Sequence, residues 1–146
     1  MKKGILITLL IIAFVLVRVV GKSIFYDPLI AFFHEPDYSI HTLPQIELGK
    51  YLISLLARYA VNTGLTLALV YVIFQKIELV KFSAILYALV FLVLTPILLC
   101  FILNADKSQY QFLFYVRRML IHPVLTLIYI PALVYHDHTL KMDKND

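Results

Sequence analysis

Residues 82–103 read FSAILYALVFLVLTPILLCFIL, 22 consecutive positions without a charged side chain. A hydrocarbon core takes about 20 residues at 1.5 Å of helical rise each, so this stretch is long enough to cross a bilayer. Three further runs are predominantly apolar and of similar length, at residues 4–20, 51–74 and 112–135. The first is the shortest, and Lys2 and Lys3 can extend it by snorkelling to the headgroups. Its basic start followed by an apolar run imitates a signal peptide. Arg18 stands just ahead of the only plausible cleavage position, near Gly21, which favours an uncleaved helix.

Composition agrees with four spans. Of the 146 residues, 62 % are hydrophobic and 15 % charged, against roughly 45–50 % and 25 % in soluble domains. Mean hydropathy is +0.88. A soluble chain of this length buries only about 68–70 % of its unfolded surface, too little to hide so much apolar area. The expected fold class is therefore an all-α integral membrane protein in one membrane domain, residues 1–146. It has four transmembrane helices, an outer loop at 21–50 and a tail at 136–146. One cysteine excludes a disulfide framework and any multi-cysteine metal site. The histidines at 34, 41, 136 and 138 fall at opposite ends of this layout, so no metal or other cofactor is expected.

Loop charge gives the orientation. Lys2, Lys3, Lys76, Lys81, Lys141 and Lys144 fall on one side, and Lys22, Lys50 and Lys107 on the other. The larger group belongs in the cytoplasm, which puts both termini there in a multi-pass membrane protein. The net charge of +4 is thus divided between loops and lipid and implies no nucleic acid. The outer loop carries an aromatic segment, Phe25-Tyr26-Asp27-Pro28 and onward to Phe33. It reads as chain lying on the membrane, with a short helix started at Asp27 and Pro28.

Lysine and arginine segregate. All nine lysines lie in tails, loops or span borders, whereas Arg18, Arg58, Arg117 and Arg118 lie within the spans, where there is no Asp or Glu. A charge at a helix centre costs about 2.5–3.5 kcal/mol on insertion scales. Arg58 lies about 9–11 Å below the start of its span, and Arg118 lies at a similar depth in its own. Ser54, Arg58, Asn62 and Thr66 recur every four residues, as do Arg118, His122 and Thr126, so each set forms one helix face. Two readings follow. Polar groups can bond across helices, with loop acids such as Asp27 or Glu47 neutralising the arginines. Alternatively, Arg58, Arg117, Arg118, Asn62 and His122 form a site for an anion or a partner, since guanidinium holds phosphate or carboxylate bidentately. Phe25, Tyr26 and Asp27 are the loop residues placed to close it.

Cys100 and His122 are the sole pair that could support nucleophilic catalysis, but the setting Leu98-Leu99-Cys100-Phe101-Ile102 supplies neither a turn nor an oxyanion hole. A non-catalytic protein is the better expectation. Pro96, Pro123 and Pro131 are expected to bend their helices, with Pro123 freeing the carbonyl of Met119.

Phe25-Tyr26-Asp27-Pro28-Leu29 after the first span, and Leu113-Phe114-Tyr115-Val116-Arg117-Arg118 through His122-Pro123 to Pro131-Ala132-Leu133-Val134-Tyr135 in the last, give the chain a resemblance. With the four-span layout, it resembles the exosortase F system-associated membrane proteins of Gram-negative bacteria over nearly its whole length. The family pattern has glutamine where His122 stands, which argues against a titrating role there. The resemblance implies an accessory protein in protein sorting, beside a transpeptidase-like membrane enzyme that processes C-terminal sorting signals. It would bind or stabilise exosortase F or its substrate, and it implies no catalysis. The alternatives are a small lipid-binding or transport protein holding an anionic lipid headgroup, and a Cys/His transpeptidase-like enzyme.

Overall fold

The computed structural model describes residues 1–104, 106–122 and 124–143; Pro123 and Lys144 lie outside them. The described residues form six α-helices: α1 (Lys2–Ile24), α2 (Leu29–His34), α3 (Leu48–Phe74), α4 (Ile77–Asn104), α5 (Tyr110–Ile121) and α6 (Val124–Asp143). A 3₁₀ turn at Lys107–Gln109 leads into α5, and no strand occurs among the described residues. Helices α1, α3 and α4 are each long and apolar enough to cross a membrane. With 23, 27 and 28 residues, they run about 35–42 Å at helical rise. Their outward faces are apolar: Leu9, Ile12 and Leu16 on α1 and Ile85, Leu89 and Leu92 on α4 are all exposed. Such a continuous apolar exterior suits lipid and not water.

The fourth run departs from the expectation of one span over 112–135. It consists of two helices, α5 and α6, bent by 59° and counting as one span only if taken together. His122 ends α5 with φ −98° and ψ 147°. A residue that precedes proline in sequence is disfavoured in the helical region and favoured in the extended one, and His122 adopts the latter. Pro96 and Pro131, by contrast, sit inside α4 and α6, which both continue past them. The break exposes carbonyls at the end of α5, and the buried Asn62 donates its side-chain N–H to the Ile121 carbonyl at 2.9 Å. The carbonyl answered is thus that of Ile121, and the donor comes from α3.

Helix α1 packs on α3, α3 on α4, and α4 on α5. The first pair is antiparallel: Lys3 Nζ donates to the Ile73 carbonyl at one end, and Gly21 meets Arg58 at the other. Helix α6 is held mainly by hydroxyls. Thr126 pairs with Thr66 at 2.7 Å and with the Tyr87 hydroxyl at 3.0 Å, and Tyr129 pairs with Ser83 at 2.8 Å. Beyond the apolar part of α6, Asp137 accepts from Lys76 and Lys141, both at 2.8 Å, tying the helix to the α3–α4 turn.

The segment between α1 and α3 folds onto the bundle. Leu29 and Phe32 of α2 are buried. Phe32 meets the Tyr110 ring edge-on at 5.4 Å and Phe33 meets Phe114 at 5.2 Å. Edge-to-face pairs of this kind add to the apolar burial. Helix α2 therefore caps the end of the bundle where α1 finishes and α5 begins.

Candidate functional site

The centre of that end is a carboxylate shared by two guanidinium groups. Asp27 Oδ2 accepts from Arg117 Nη2 at 2.6 Å and from Arg58 Nη1 at 3.4 Å, and Oδ1 accepts from Arg117 Nε at 3.4 Å. The side chains are 3 %, 9 % and 7 % exposed for Asp27, Arg117 and Arg58, so this is a buried triad. Its geometry follows from local sequence. Tyr26 donates its backbone N–H to Ser54 Oγ at 3.2 Å, which fixes the next residue, Asp27, over α3. Phe25 lies beneath Arg58, ring centroid to guanidinium carbon 5.3 Å, and Phe33 beneath Arg117 at 5.8 Å. Aromatic faces stabilise cations best where water is excluded. Gly21 lies against Arg58: a Cβ there would come 3.4 Å from its Nη2, an ordinary contact that leaves no room for a longer side chain.

The other two arginines are placed differently. Arg18 and Arg118 are exposed on their helices, and both line a cavity of about 700 Å³ bounded by α1, α2, α3, α5 and α6. Arg58 and Arg117 reach the same cavity from the triad, joined at its rim by Lys22 and His34. Asn62 and His122 lie on its wall. Further along, the lining becomes apolar, with Ile11 and Phe14 on α1, Leu69 on α3 and Leu127 and Ile130 on α6. From Arg18 to Ile11, and from Asn62 to Leu69, this is about 10 Å along the helices.

Charge in the cavity is one-sided. Five cationic side chains line it, Arg18, Lys22, Arg58, Arg117 and Arg118, and Asp27 is the one carboxylate within 4 Å of any of them among the described residues. Asp27 serves Arg58 and Arg117, which leaves Arg18, Lys22 and Arg118 without an acid. Several like charges at one level of a low-dielectric site repel one another unless an anion joins them.

The structure brings Arg58, Arg117, Arg118, Asn62 and His122 to one cavity, while Phe25, Tyr26 and Asp27 line a separate small pocket that shares Arg58 and Ile121 with it. Cys100 is not among them. It is exposed on α4, a helix that contributes no residue to the cavity where His122 sits. The sequence alone left out Arg18, which as an arginine near a span end reads as a lipid-facing snorkel. Nothing in the sequence sets it apart from such a snorkel. Comparison with protein-family models, curated proteins and solved structures gives no match.

Proposed function

We propose that this chain is a non-catalytic accessory protein of a bacterial inner membrane that holds an anionic group in its arginine-lined cavity. It would cross the membrane four times, with α5 and α6 as a broken fourth span. Lysine distribution favours cytoplasmic termini, so the cavity lies in the outer half of the bilayer. The observation that carries the reading is the excess of cation at the cavity. Two buried arginines share Asp27, and Arg18 and Arg118 stand on the same cavity with no acid of their own. A site with a net positive charge and low dielectric is complementary to an anion. The sequence resemblance suggests the setting, an exosortase-type sorting system in which the anionic group belongs to the enzyme, its substrate or a lipid.

The exposed position of Cys100, away from His122, speaks against a thiol enzyme. The test is co-purification of the sorting enzyme from membranes, together with sorting itself, for wild type and for Arg18→Gln/Arg118→Gln. These two side chains are outside the buried triad, so the variant is expected to accumulate normally. It should lose at least tenfold in complex recovery or in sorting. Unchanged sorting and unchanged recovery with normal accumulation would refute the proposal.

A further inference from the structure

We infer that the anion held at this cavity is the phosphate of a membrane lipid, with its hydrocarbon chain lying in the apolar part of the same cavity. The inference rests on the anion-site reading above and names its occupant. Three observations point to an amphiphile and away from a free anion.

First, the cavity is polar at one end only. Arg18, Arg118 and His122 line that end, and about 6–10 Å further along α1 and α3 the lining is Phe14, Ile11 and Leu69, with Ile130 on α6. A free phosphate would use the first part and leave the second unfilled. Second, a volume of about 700 Å³ falls in the range of pockets that enclose whole organic molecules, about 300–1,000 Å³. Third, the cavity lies between α1 and α6, helices that do not pack closely on each other. Exposed Ile11, Val15 and Leu127 flank that side. An opening edged by such residues admits a molecule already dissolved in the hydrocarbon. At the polar end, two guanidinium forks from different helices can each take one edge of a phosphate, a fit that suits its several oxygens.

The experiment compares three probes on the full-length protein in mild non-ionic detergent: phosphatidylglycerol, phosphatidylcholine and inorganic phosphate. Lipid retained after gel filtration is measured by mass spectrometry, and protection against heat is followed by far-ultraviolet circular dichroism. Phosphatidylglycerol is expected to be retained at about one per chain and to raise the melting temperature, while phosphatidylcholine binds at least tenfold more weakly. Ile130→Trp, which fills the apolar part, should lose the lipid effect and keep any weak effect of inorganic phosphate. Arg18→Gln/Arg118→Gln should lose both.

If inorganic phosphate protects wild type as well as the lipid does, the lipid assignment fails and the anion site stands. If phosphatidylcholine, whose choline cation balances the same phosphodiester, is retained equally, the cavity does not select net negative charge and both readings fail. Displacement of retained lipid by a peptide with a free C-terminal carboxylate, at equal concentration, would assign the site to a protein partner and overturn the lipid. The wild-type arms decide the matter by themselves should a variant fail to fold.

Discussion

Replacing Asp27 with asparagine keeps the side chain's shape and removes the one carboxylate of the buried triad. The cost can be worked from the contacts. Arg117 makes two of them, 2.6 and 3.4 Å, and Arg58 makes one at 3.4 Å. Unit charges about 4 Å apart at an effective dielectric of about 20 attract by about 4 kcal/mol. Repulsion between the two guanidinium groups offsets part of the second pairing. Breaking a buried ion pair by removing one partner costs about 3–5 kcal/mol, because the other charge stays buried. Asp27→Asn is therefore expected to destabilise by about 4 kcal/mol, on the order of 10 °C in melting temperature for a chain of this size. Arg117→Gln should cost more than Arg58→Gln, since the shorter and forked contact belongs to Arg117. A double-mutant cycle between Asp27 and Arg117 should return a coupling larger than that between Asp27 and Arg58. Circular dichroism in detergent is the suitable assay, because the exposed Cys100 would react with a thiol dye before unfolding. A loss under 1 kcal/mol for Asp27→Asn, or the reverse order for the two arginines, would refute the triad as the keystone of this end.

Asn62→Leu removes the donor to the Ile121 carbonyl at the α5–α6 break, at an expected cost of about 1–3 kcal/mol measured by the same melts. Hydrogen exchange should rise in the last turn of α5. Gly21→Ala is expected to stay within about 1 kcal/mol of wild type, because its Cβ meets Arg58 and Phe25 at ordinary contact distance. Gly21→Leu should push Arg58 off Asp27 and approach the loss seen for Arg58→Gln, and additivity of Gly21→Leu with Arg58→Gln would show otherwise. Cys100 should react with a membrane-permeant maleimide in the folded protein, and Cys100→Ser should leave stability and anion binding unchanged.

The apolar runs were legible because length and hydropathy are local properties, and α1, α3 and α4 contain the runs at 4–20, 51–74 and 82–103. The four-residue spacing of Ser54, Arg58, Asn62 and Thr66 puts them on one face, and each has a partner in the structure. The partners themselves were less legible. Asp27 could be named as a loop acid able to neutralise an arginine, but its choice of Arg117 over Arg118 could not. Successive residues on a helix point about 100° apart, and only the packing of α5 on α4 decides which one turns inward. The break at His122 was hidden for a different reason. Proline in sequence is compatible with continuation, as at Pro96 and Pro131, or with a stop. At this break Asn62, 59 positions away, takes up the Ile121 carbonyl, a partner that the local sequence does not show. The direction of Arg18 likewise depends on where α1 sits against α3.

The unequal treatment of the four arginines is the feature a purely structural account explains least well. If arginine served only to bond helices together, an acid would be expected for each guanidinium, from a loop as Asp27 serves Arg58 and Arg117 or from a position one turn away; among the described residues no carboxylate lies within 4 Å of Arg18 or Arg118. The positions one turn from Arg18 are Phe14 and Lys22, and around Arg118 they are Phe114 and His122. None is acidic, and all four line the same cavity as the arginines. Phe33, whose ring lies beneath the paired Arg117, joins that lining too. The chain thus seats two arginines with care, on aromatic rings and a shared carboxylate, and leaves two more facing a cavity with no acid at one turn's distance. A charge in hydrocarbon surroundings is costly until it is matched. With no match in the nearest turns, the anion site proposed above takes its partner from outside, and the apolar lining beyond the arginines is where the proposed lipid would place its chain.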